Sequence, residues 1–117
     1  MTAASIGLIL VALLHVWFLV LEMALWERPL GRRLLRMNAE QAAATAVLAK
    51  NQGLYNGFLA AGLIWAAVDP SLQQRLGTFF LGCVVVAGIF GGMTASRSIF
   101  VLQAAPAAIA LVVLWAS

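Results

Sequence analysis

Long apolar stretches separated by short polar ones dominate this chain. The first runs from about Ala4 to Trp26 and is broken only by His15 and Glu22. The others cover about residues 46–68, 76–95 and 99–116. A helix needs about 20 mostly apolar residues to cross about 30 Å of hydrocarbon, and each stretch meets or approaches that length. Backbone in lipid must satisfy its own hydrogen bonds, so all four are expected as helices. The expected fold is an all-α integral membrane bundle of four transmembrane helices. It forms one domain over residues 1–117, with helices at about 4–26, 39–68, 71–95 and 98–116.

Local chemistry sets the boundaries. Pro29 cannot continue a helix interior, so the first span should stop before it. Over residues 30–37, Leu30, Leu34 and Met37 fall on one helical face and Arg32, Arg33 and Arg36 on another. That pattern predicts a short amphipathic helix in the membrane interface, between the first and second spans. Asn38 followed by Gln41 resembles a capping box. Asp69-Pro70 suits the N-cap and first position of the third helix, and Ser96-Arg97-Ser98 suits a tight turn into the fourth.

Composition agrees with the pattern. The chain is 64% hydrophobic and 9% charged, against about 45–50% and 25% in soluble domains. Its mean hydropathy is +1.02. Eleven charged side chains cannot cover a water-soluble protein of 117 residues, so the lipid bilayer is the expected solvent. The net charge of +3 does not point to nucleic acid, because four of the seven basic residues lie between Arg28 and Arg36. There they mark a cytoplasmic loop. Arg97 marks another, whereas the loop between the second and third spans holds only Arg75. The expected location is the cell (inner) membrane, with both termini outside and loops one and three cytoplasmic. The first stretch has no basic n-region and is too long for a cleavable signal, so it is expected as a retained helix. Cys83 stands alone in an apolar run and reads as a small buried hydrophobe. With one His and one Cys, no protein-only metal site and no cofactor are expected.

Ionisable groups inside a bilayer are costly, so each is a candidate for function. His15 and Glu22 are seven residues apart, on nearly one face and about 10 Å apart along the axis. Trp26 completes that stripe. The second helix carries Lys50, Asn51, Gln52, Tyr55 and Asn56, of which the last four span roughly 140° of one side. If Glu22 and Lys50 lie level near the inner boundary they can pair, and the same register brings Asn56 level with His15. Gln103 lies on the fourth helix, where Pro106 is expected to kink the chain and free a carbonyl near Leu102. These groups gather toward the cytoplasmic half and predict a pocket open to that side. A bland account stands beside this one: Glu22 and Lys50 as a buried structural ion pair, and the amides as links between helices. Gly53 with Gly57, and Gly88 with Gly92, allow close helix contact within the chain or in a homo-oligomer.

The stretch from Asn51 to Gly62 resembles a family of small bacterial and fungal membrane proteins known as domain of unknown function 1304. The likeness extends to His15, to Glu22-x-x-x-Trp26 with Pro29, to residues 88–94, and to Gln103-x-x-Pro106. It covers essentially the whole chain. It implies a four-helix membrane protein and no particular reaction.

Three functions compete at this stage. The first is a carrier or binder of a small lipophilic or cationic molecule, with Glu22 exchanging a proton for the ligand. Length and helix plan resemble the small multidrug resistance exporters, which also hold a Glu in the first helix; an architectural analogy warrants little by itself. The second is an intramembrane acid–base enzyme, isomerase-like, acting on a lipid-soluble substrate through His15 and Glu22, with Asn51, Asn56 and Gln103 orienting it. The third is an accessory subunit of a membrane complex.

Overall fold

A helix that begins at Ala3 and passes through a π-helical turn before ending at Leu25 opens the computed structural model, which describes all residues from Met1 to Ser117. The regular part is α1 (Ala3–Val20), and the π-turn is Leu21–Leu25. Arg28 then adopts an extended conformation, φ −76° and ψ 155°, as the residue before a proline must. Pro29 occupies the first turn of the short helix α2 (Pro29–Leu35). Its fixed φ suits that position and its missing N–H costs nothing there. Arg36, left-handed at φ 55°, ends α2.

The reciprocal bonds of a capping box open the next helix. Asn38 N–H donates to Gln41 Oε1 at 2.9 Å, and Gln41 N–H to Asn38 Oδ1 at 2.8 Å. Helix α3 (Ala39–Val68) follows, and after a turn comes α4 (Gln73–Thr94). Here the expectation needs correcting. Asp69 and Pro70 do not start α4. The Asp69 carboxylate instead accepts bonds from the Ser71 hydroxyl at 2.7 Å and from the backbone N–H groups of Ser71 and Leu72. It closes a turn of its own, and α4 begins after Leu72.

The last helix starts with a second π-turn, Phe100–Ala104, and continues as α5 (Ala105–Ala116). The expected disturbance at Pro106 takes this form. Ala105 N–H reaches back five residues to the Phe100 carbonyl, so the helix widens by one residue ahead of the proline.

The fold is therefore all-α. Two of its helical stretches, Ala3–Leu25 and Gln73–Thr94, are long and apolar enough to cross a membrane. Phe100–Ala116 is apolar but shorter. In α3 the polar run from Lys50 to Asn56 dilutes an otherwise apolar helix.

The chain divides into two compact units, each using part of α1 and part of α3. One comprises Met1–Ala12 with Leu59–Ser117, and the other Leu13–Phe58. The first holds the apolar core: Leu8, Val11 and Ala12 of α1, Leu63 and Ala66 of α3, Leu81 and Val84 of α4, and Ala107, Ala110 and Leu114 of α5. The Gln73 side chain ties its end, donating to Ser5 Oγ at 3.0 Å and to the Ala66 carbonyl at 3.1 Å.

Candidate functional site

In the unit Leu13–Phe58, α3 buries Ala42, Ala46, Ala49, Gly53 and Asn56. The four-and-three spacing is that of the seam between closely packed α-helices that supercoil left-handedly. Gly53 makes the closest approach. A Cβ there would lie 3.3 Å from the Leu19 carbonyl oxygen, 3.2 Å from Glu22 Cβ and 2.5 Å from Met23 Cγ. Gly57 similarly meets Leu19. Both glycines of this pair are thus used inside the chain, and they bring α3 against the start of the π-turn that carries Glu22.

That approach settles the partner of Glu22. Asn56, only 3% exposed, donates its side-chain amide to the Glu22 carboxylate at 2.5 Å. Its own Oδ1 is buried and has no hydrogen-bond partner. Lys50 is exposed and forms no ion pair with Glu22. The expected Glu22–Lys50 pair does not form: Gly53 lies against Glu22, and Asn56, about one turn further along α3, supplies the hydrogen bond. His15 is fully buried, with its ring edge-on to Phe18 at 5.2 Å between centroids. Trp26, partly buried, donates its indole N–H to Thr45 Oγ1 at 2.9 Å.

The other polar residues of α3 point elsewhere. Asn51, Gln52 and Tyr55 are exposed, because the buried seam takes Gly53 and Asn56 and turns them away. Asn51 folds back onto its own helix, donating to the Val47 carbonyl at 2.8 Å. Tyr55 stacks edge-on against Phe58. The inward-facing block expected from the sequence reduces, on α3, to Asn56.

Gln103 belongs to the other unit. It sits in the second π-turn, partly buried. Gly88 of α4 packs on this turn so closely that a Cβ would come 2.4 Å from the Ala104 nitrogen. Gly92 lies against the Phe100 ring in the same way. Each polar candidate in a π-turn, Glu22 and Gln103, thus sits beside a pair of glycines four residues apart. Such turns recur at functional sites in helical proteins. The proline makes the second turn legible in the sequence; nothing comparable announces the first.

Thr45 was missed by sequence reasoning, although its level on α3 opposite Trp26 was a usable signal. Gly31 was missed too, since its importance lies in a backbone contact. Two depressions lie on the exposed side of α4, one along Phe79, Gly82, Val86 and Phe90 and one beside Trp115. Both are open and shallow, and neither includes Glu22 or Asn56.

The chain is 31% identical over 106 residues to the uncharacterised protein YpaA of Lactococcus lactis subsp. lactis (strain IL1403), covering 89% of each chain. No solved structure matches it. The profile of the family described as "protein of unknown function (DUF1304)" matches residues 9–115, which span His15, Glu22, Asn56 and Gln103 alike. The chain belongs to that family.

Proposed function

We propose that this chain is a single four-helix domain of the cell (inner) membrane that binds or carries a small lipophilic or cationic molecule at Glu22 and Asn56. In this reading the helical stretches Ala3–Leu25 and Gln73–Thr94, the apolar part of α3, and Phe100–Ala116 cross the bilayer. The termini lie outside, and the arginine-rich first loop lies in the cytoplasm with the loop around Arg97.

Exposure supports the membrane part. In the most apolar 18 residues of each long helix only 33% and 28% are buried within the protein, whereas the core helix of a soluble protein is mostly buried. Their outward residues include Leu10, Leu13, Phe79, Val86 and Phe90. An apolar surface this extensive has no place in water.

The bond from Asn56 to Glu22 carries the ligand part. A carboxylate costs about 2.5–3.5 kcal/mol at the centre of a membrane helix and less toward its end, where Glu22 lies. A hydrogen bond to a charged group returns about 1.5–3 kcal/mol, so Asn56 offsets much of that cost. What remains is a carboxyl group that can hold either a proton or a cation, beside a buried, unpartnered acceptor, Asn56 Oδ1. Both favour a ligand that brings positive charge or an N–H donor. A proton and such a cation compete for one carboxylate, which is the basis of exchange. Lys50, exposed and unpaired with Glu22, does not compete with a ligand for the carboxyl group.

The test uses tetraphenylphosphonium as the cation. Added to the purified chain in unbuffered detergent, it should bind and release a proton, and Glu22→Gln should abolish the release. Equal release from wild type and variant, or no binding by either, would defeat the reading.

A further inference from the structure

The helix α2 carries a second surface, unrelated to Glu22. Gly31 is buried where α2 meets the π-turn, and a Cβ on it would lie 1.8 Å from the Leu25 carbonyl oxygen. Only glycine permits this backbone contact, by which α2 packs directly on the end of the first apolar helix. Around Gly31 stand Leu30, Leu34 and Leu35, exposed at 47%, 52% and 37%. Arg28, Arg33 and Arg36 are exposed, and Arg32 is partly so with a buried Nε that has no partner. None of the four arginines forms an ion pair, although Glu27 and Glu40 are close in sequence.

We propose that α2 and its four arginines form a binding surface for the headgroups of anionic phospholipids, with the leucines seated among the acyl chains. Charge complementarity carries this choice of partner. A guanidinium is a planar fork of donors that matches phosphate oxygens, and the four within nine residues form no ion pair in the chain. The leucines require an apolar medium immediately beside that charge. A phospholipid surface presents both, and a free phosphate in solution presents only the first. Trp26, just before α2 and bonded to Thr45, adds an aromatic anchor of the kind found at headgroup level.

The full chain, reconstituted in nanodiscs of phosphatidylcholine with a minority of phosphatidylglycerol, tests this surface. Lipids retained on gentle detergent release are counted by native mass spectrometry. Wild type should be enriched in phosphatidylglycerol. Arg32→Gln with Arg33→Gln should lower the enrichment by at least roughly fivefold, as one lost surface arginine already implies. Arg75→Gln should leave it unchanged. Should the double variant fail to fold, Arg32→Lys with Arg33→Lys keeps the charge, and its enrichment and that of wild type should fall steeply with added salt. Retention of the two lipids in bulk proportion by wild type, or enrichment indifferent to salt, would overturn the proposal.

Discussion

Gly88 of α4 and the backbone of Ala104 are in direct contact: a Cβ on the glycine would stand 2.4 Å from the Ala104 nitrogen and 2.8 Å from its Cα. The clash would be with backbone, and backbone in a π-turn cannot swing aside as a side chain can. Gly82, on the same helix, has nothing within 4 Å of its Cβ position. The two sites therefore respond oppositely to one substitution. Gly88→Ala should destabilise the chain by about 1–3 kcal/mol, as overpacking does. Gly82→Ala should be neutral or stabilising by up to about 1 kcal/mol through helix propensity. Thermal denaturation in detergent measures both, and equal effects would mean that α4 does not pack on the π-turn.

Glu22 and Asn56 should be energetically coupled. Asn56→Leu leaves the carboxylate without its donor, while in a Glu22→Gln background the same change loses only a neutral bond. Interhelical hydrogen bonds in membranes average about 0.6 kcal/mol and reach about 1.7. A charged acceptor places this one at or above the upper end. A double-mutant cycle on unfolding free energies should give a coupling of about 1.7 kcal/mol or more. A coupling near zero would separate the two residues.

Asp69 makes stability depend on acid pH. The Ser71 hydroxyl, with further help from the Leu72 backbone N–H, holds its carboxyl below the usual carboxylate value. A group whose pKa is lower folded than unfolded stabilises the protein above its unfolded value and loses that contribution as pH falls through the folded one. The difference in Tm between wild type and Asp69→Ala should thus be constant near neutrality. It should shrink below about pH 4, where an unperturbed Asp protonates. A difference that is flat with pH down to the acid limit would contradict the carboxylate's role in the turn.

Local regularities carried most of the fold in the sequence. Apolar stretches, the proline at position 29, and the Asn38–Gln41 pair act over distances of a few residues, and the structure has helices at those places with the capping box formed as read. The all-α class follows from them, as does the short helix at Pro29–Leu35. The same reasoning failed where two parts of a segment could compete. Asp69 could cap α4 or close its own turn, and in the fold its carboxylate takes the Ser71 hydroxyl and the N–H groups of Ser71 and Leu72.

Only the tertiary structure decided which residues of different helices meet. Counting residues along α1 and α3 paired Glu22 with Lys50; the fold pairs it with Asn56, because the close approach of Gly53 to Leu19, Glu22 and Met23 sets the register there. The same seam turns Asn51, Gln52 and Tyr55 outward. Gly31 and Gly88 owe their roles to backbone atoms of other segments, the Leu25 carbonyl and the Ala104 nitrogen. Periodicity is a property of one helix, legible from its own residues. Register between helices depends on where two backbones can come closest, and that exists only once the chain is folded.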